Sequence, residues 1–126
     1  MDRDLELLVG KIITKIEVEE NGESITFYME DGEFKFNAIG DCCSSSWIES
    51  VEGQEDIIGH RVLEIVEHTI QAYDYEKDGA INKTPHYDHL QVYTYDIVTS
   101  NGICTIDFRN DSNGYYGGWL ELEVKK

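Results

Sequence analysis

Arg109 is the only arginine after Arg61, and it opens a run rich in groups that bind small molecules. The run is Arg109-Asn110-Asp111-Ser112-Asn113-Gly114-Tyr115-Tyr116-Gly117-Gly118-Trp119. A guanidinium grips phosphate through a two-pronged fork, and flat aromatic rings stack on bases. Asn and Ser side chains add adaptable donors and acceptors. Arg109, Asn110, Asn113, Tyr115 and Tyr116 are therefore candidate contacts of a nucleotide pocket. Tyr93 and Tyr95, on the strand expected to pair with this one, join them. The competing reading is a hairpin turn with a surface arginine, in which Tyr93, Tyr95 and Phe108 are ordinary sheet packing.

Two other chemistries have residues of the right type. Asp41, Cys42 and Cys43, with His60, His68, His86 and His89, offer zinc ligands. In an extended chain, however, adjacent cysteines point to opposite faces, no C-x-x-C occurs, and His86-x-x-His89 lacks a paired cysteine motif. No metal is expected, and a cysteine here reads better as a small buried hydrophobe. A nucleophilic thiol at Cys42 or Cys43 would sit beside Asp41 and Glu49, which oppose thiolate formation. The nucleophile-elbow, P-loop and dinucleotide-binding glycine patterns are absent. The expectation is a binding protein without enzymatic chemistry or cofactor.

The chain has 126 residues, a length for one domain spanning 1–126 with a real core. Ten basic residues against 26 acidic ones give a net charge of -16. A field that negative repels nucleic-acid polymers and anionic membranes. A small anionic ligand stays open, because a pocket needs only a local cation. Lys35, Arg61, Lys77, Lys83 and Arg109 are the basic residues away from the termini. Three cysteines, two of them adjacent, do not form a disulfide framework. Met1-Asp2-Arg3-Asp4 lacks the basic start and apolar run of a secretory leader, and no stretch has the length of a membrane span. A cytoplasmic protein is expected.

The elements that must position these residues read mainly as strands. Residues 3–9 form a helical turn stopped by Gly10. Strands follow at Lys11 to Glu19, Ser24 to Glu30 and Glu33 to Ala38, joined by Asn21-Gly22 and Asp31-Gly32 turns into a meander. Residues 44–58 read as a short helix and loop, capped by a serine of Ser44-Ser45-Ser46. Arg61 to Tyr73 is a long strand, and 74–89 a polar loop holding the only proline. Leu90 to Thr99 and Ile103 to Arg109 form a hairpin across Asn101-Gly102, with Ile103, Thr105, Asp107 and Arg109 on one face. Tyr115 to Val124 is the last strand. Leu8-Val9-Gly10-Lys11-Ile12-Ile13-Thr14-Lys15-Ile16 resembles Ile57-Ile58-Gly59-His60-Arg61-Val62-Leu63-Glu64-Ile65 as a faint internal repeat. The expected fold is α+β: mostly antiparallel sheet with two short helices and a duplicated β-β-β unit.

Two motifs carry a resemblance. Gly40-Asp41-Cys42-Cys43-Ser44 is followed about sixty residues later by Thr99-x-x-Gly102-x-x-Thr105-Ile106-x-x-Arg109 and Ser112-Asn113-Gly114-Tyr115-Tyr116. In that order they resemble the phage anti-Thoeris sponges and a wider set of phage and bacterial domains, over about residues 8 to 120. The resemblance implies a protein that captures cyclic ADP-ribose isomers intact and so blocks bacterial Thoeris defence. It also implies homo-oligomers built from dimers, with pockets at subunit interfaces and Arg109 as a ligand contact. Two departures lie beside that arginine: Asn110 where the sponges would carry an aromatic, and Gly117-Gly118 where a serine would follow the tyrosines. The rival expectation is an acidic phage or bacterial protein that inhibits a basic protein partner.

Overall fold

Ile25, Phe27 and Met29 alternate with Ser24, Thr26 and Tyr28, and Cys104, Ile106 and Phe108 alternate with Thr105, Asp107 and Arg109. Each set places one apolar face against a core. The computed structural model describes residues 4–40, 45–71, 89–112 and 118–123. A 3-10 turn at Asp4–Leu8 precedes β1 (Lys15–Val18), β2 (Ser24–Met29), β3 (Gly32–Gly40) and β4 (Ser45–Glu52). A one-turn helix α1 (Gln54–Ile57) then leads to β5 (Val62–Gln71), β6 (His89–Thr99), β7 (Ile103–Ser112) and β8 (Gly118–Leu122). Two four-stranded antiparallel sheets result, ordered β1-β2-β3-β8 and β4-β7-β6-β5. Their inner faces share one core that includes Ile25, Phe27 and Phe36 from the first sheet and Ile97, Ile106 and Phe108 from the second.

The architecture is mostly β, not an even α+β mixture. The expected helix in 44–58 is reduced to the four residues of α1, because β4 occupies Ser45–Glu52 and pairs with β7. A register shift between Ile48 and Ser50 breaks the alternation of that strand. This β-bulge hides the strand from a period-two reading. The first strand is shorter than expected, with only an isolated bridge between Ile12 and Arg61 before it. The described part of the last strand is Gly118–Leu122; the expected start at Tyr115 lies outside the described residues.

The short repeat in the sequence corresponds to a two-fold arrangement in the structure. Gly10 and Gly59 hold the same left-handed backbone, at φ of 88° and 86°. The Gly10 N–H donates to Val62 O and the Gly59 N–H to Ile13 O, both at 2.8 Å. Since Gly10 matches Gly59 and Ile13 matches Val62, the two bonds are related by exchanging the halves. Leu8 and Ile57, at matching positions, are both fully buried. The fourth strand of each half crosses over: β4 follows β3 but pairs with β7, whereas β8 follows β7 but pairs with β3. Trp47 and Trp119 fall at equivalent places, and each indole N–H donates to the glutamate two residues on, Glu49 at 2.8 Å and Glu121 at 3.0 Å.

Candidate functional site at the strand crossover

Each half crosses between sheets through a segment that carries one of the two sequence motifs. Residues 41–44 join β3 to β4, and 113–117 join β7 to β8. The strand ends beside them pair as Gly40 with Gly118 and Asn110 with Ser46. These four residues meet at one seam. The Asn110 amide Nδ2 donates to Ser46 Oγ at 2.9 Å. A Cβ on Gly118 would collide with Ser46 Oγ and stand 2.9 Å from Asn110 Nδ2. The close approach of the two sheets at this point therefore favours glycine as long as Ser46 and Asn110 stand opposite.

Asn110 is fully buried, and its Oδ1 has no hydrogen-bond partner among the described residues. Gln91 stands directly across from it on β6. The Tyr93 hydroxyl donates to Gln91 Oε1 at 2.6 Å and accepts from the Gly118 backbone N–H. Desolvation raises the Tyr93 pKa despite that second bond, so the phenol stays neutral. Gln91, Tyr93 and Gly118 are half-buried, so this polar cluster reaches from the interior to solvent.

Arg109 lies on the opposite face of the same sheet. It is 2% exposed and pairs across the ladder with Trp47 and Val92, which are also buried. Its Nε and Nη2 each face an Asp107 carboxylate oxygen at 3.1 Å. The neighbouring row is polar as well: Thr105 donates to Asp96 at 2.8 Å, and His68 Nε2 lies 3.8 Å from the same carboxylate.

The structure thus divides the candidate set. Arg109 shares a face with Asp107 and Thr105, as expected, but it is buried and not a surface residue. Tyr93 and Tyr95 point to the core side with Asn110, and their rings pack on Phe108 at centroid distances of 6.0 and 6.1 Å. The grouping of both tyrosines with Arg109 is corrected accordingly. The hairpin pairs Val98 with Ile103, so Val92, not Tyr93, meets Arg109. Tyr95, at 6% exposed, is core packing. Asn113, Tyr115 and Tyr116 lie outside the described residues, as do Cys42, Cys43 and most of the 74–89 loop. Sequence reasoning missed Ser46, Gln91 and Gly118. Counting back from the Asn101-Gly102 turn would have put Gln91 opposite Asn110, whereas Ser46 needed the crossover pairing.

Elsewhere, a groove of about 360 Å³ lies between Lys11, Arg61, Glu30 and Asp31. Arg61 Nη1 donates to Gly10 O at 2.6 Å and Lys11 lies 3.9 Å from Asp31. Lys11 is thus paired with Asp31 and Arg61 with a carbonyl oxygen, and Glu30 adds a further negative charge, which leaves little pull on an anion. Among the described residues no three His, Cys, Asp or Glu side chains form a metal set, and no helix is long and apolar enough to cross a membrane. Burial pushes the Cys104 thiol up to about 12, which makes it a poor nucleophile.

Residues 6–122 match the model of a family described as a domain of unknown function, DUF7448. An uncharacterised protein of Acanthamoeba polyphaga mimivirus is 30% identical over 121 residues, covering 92% of this chain and 90% of the viral protein. No solved structure matches. The chain belongs to the DUF7448 family.

Proposed function

We propose that the protein binds a cyclic nucleotide signal of the cyclic ADP-ribose type and holds it intact, and so acts as a sponge against bacterial Thoeris defence. The observation that carries this reading is the seam itself. Arg109 and Asn110 lie on the two faces of β7 near its end at Ser112, where the Ser112-Asn113-Gly114-Tyr115-Tyr116 motif begins. The partner end of the seam follows the Asp41-Cys42-Cys43-Ser44 motif. The strand residues that flank the two resembling segments thus pair, Gly40 with Gly118 and Ser46 with Asn110, although about sixty residues separate those segments in the sequence. A relative encoded by a virus is in keeping with a counter-defence role.

Sequestration needs no bond-breaking group, only affinity near the signal concentration. Binding should be about nanomolar, and the protein should be a homo-oligomer built from dimers, with one ligand site per chain. Calorimetric titration with cyclic ADP-ribose and its 2′ and 3′ ribose-linked isomers, run beside light scattering, tests both points. Absence of heat with all three isomers, or a monomeric mass at micromolar concentration, contradicts the reading. The net charge of -16 favours a second reading, an acidic inhibitor of a basic protein. That reading predicts salt-sensitive binding to such a partner and none to nucleotides.

A further inference from the structure

The two halves of the chain can be compared position by position at the crossover. Pairing with the equivalent tryptophans aligns Arg109 with Ile39, Asn110 with Gly40, and Ser46 with Gly118. The first half crosses over with Ile39 and Gly40 on β3 and Gly118 on its partner β8. The fold therefore does not demand Arg109, Asn110 or Ser46 at the matching places. These polar residues break the symmetry.

Asn110 carries a direct cost. A buried carbonyl left without a donor is penalised on folding, and few are found in native proteins. Ser46 holds the nitrogen end of the amide at 2.9 Å, which turns Oδ1 away from that hydroxyl. Among the described residues Oδ1 remains unpartnered, at a fully buried residue in a cluster that opens to solvent through Gln91 and Tyr93.

We propose that the Asn110 carbonyl is the acceptor that reads a neutral hydrogen-bond donor of the bound ligand, an amino N–H of its base or a hydroxyl of its ribose. Ser46 is then a positioning residue that holds the amide in place at the seam through its 2.9 Å hydrogen bond. Gly118 keeps room for that arrangement. The cluster of Asn110, Gln91 and Tyr93 contains no cation, so it suits the uncharged edge of a nucleotide and not its phosphates. This inference rests on the sequestration reading and names which part of the ligand the seam takes.

Asn110→Leu and Asn110→Ala separate recognition from packing. Alanine fits because the equivalent position in the other half is Gly40. The expected result is a ligand-free melting temperature that does not fall for Asn110→Leu, since the unsatisfied oxygen is gone. The three isomers named above should bind about tenfold more weakly or worse to both variants. The inosine counterpart of the tightest isomer, which replaces the amino group by a carbonyl, identifies the donor. If the amino group is read, wild type loses affinity for the counterpart and the Asn110 variants lose no more. If a ribose hydroxyl is read, wild type binds both alike and the variants weaken both. Equal capture by wild type and both variants overturns this inference and leaves the sponge reading standing. Capture of no isomer by wild type overturns both. Loss of folding in both variants assigns Asn110 to the fold and overturns the inference alone.

Discussion

The Arg109 guanidinium and the Asp107 carboxylate meet where their side chains are only 3% and 14% exposed. Removing one member of such a pair leaves a buried charge behind, which costs about 3–5 kcal/mol. Arg109→Ala should therefore lower the urea midpoint markedly as well as weaken nucleotide capture. The double variant Asp107→Asn/Arg109→Met should recover most of the stability and none of the capture. Full capture by the folded double variant would remove Arg109 from the site. Cys104 makes a different prediction. Its folded pKa is raised from 9 to about 12 by burial first, then by Glu55 and Asp96. A raised folded pKa means that its contribution to stability is complete below pH 9 and fades as pH climbs from 9 toward 12. Tyr28, raised from 10 to about 12 chiefly by its hydrogen bond to Glu17, acts in the same direction above pH 10. Urea midpoints should thus fall from pH 9 to 10, and Cys104→Val should flatten that slope. An unchanged slope in the variant would show that the thiol is not the group responsible.

At the level of elements, local patterns were legible and distant pairings were not. β2, β3, β6 and β7 announce themselves by alternation and by Asp31-Gly32 and Asn101-Gly102, because hairpin register depends on neighbouring residues alone. β4 was hidden by its bulge and by three serines that read as a helix cap. The crossover was hidden for another reason: Gly40 meets Gly118 and Ser46 meets Asn110 across half of the chain length or more, and no local signal encodes such a partner. The candidate site suffered accordingly. Arg109 and Asn110 stood out by residue type, yet their split between two faces and the role of Ser46 depended on pairing. The seam makes its own prediction. Gly118→Ala pushes a methyl group into Ser46 Oγ and toward Asn110, so it should destabilise by about 1–3 kcal/mol, a typical cost of overpacking. Adding Ser46→Gly, the residue found at the matching place in the other half, should restore much of the loss. Failure of that rescue in thermal melts would count against the two-fold equivalence of the crossovers.

For the whole molecule, two related halves within 126 residues account for the sheet arrangement. Two meanders exchange their fourth strands, so each sheet is completed by the other half and the two sheets enclose one core. At the two crossovers the described residues break this symmetry at Arg109, Asn110 and Ser46, whose matching residues are Ile39, Gly40 and Gly118. The overall charge of -16 repels anions at long range. Capture of a nucleotide must therefore come from close contacts, and added salt should weaken it little. The claim that the ligand is held and not processed separates this reading from any enzyme. It is tested most directly by loading the pure protein with cyclic ADP-ribose isomers, removing free nucleotide, denaturing the complex by heat and identifying what is released by mass spectrometry. The account predicts release of the unchanged cyclic isomer, close to one per chain, however long the loaded protein was incubated. Release of nothing, or accumulation of linear ADP-ribose with time, would contradict it.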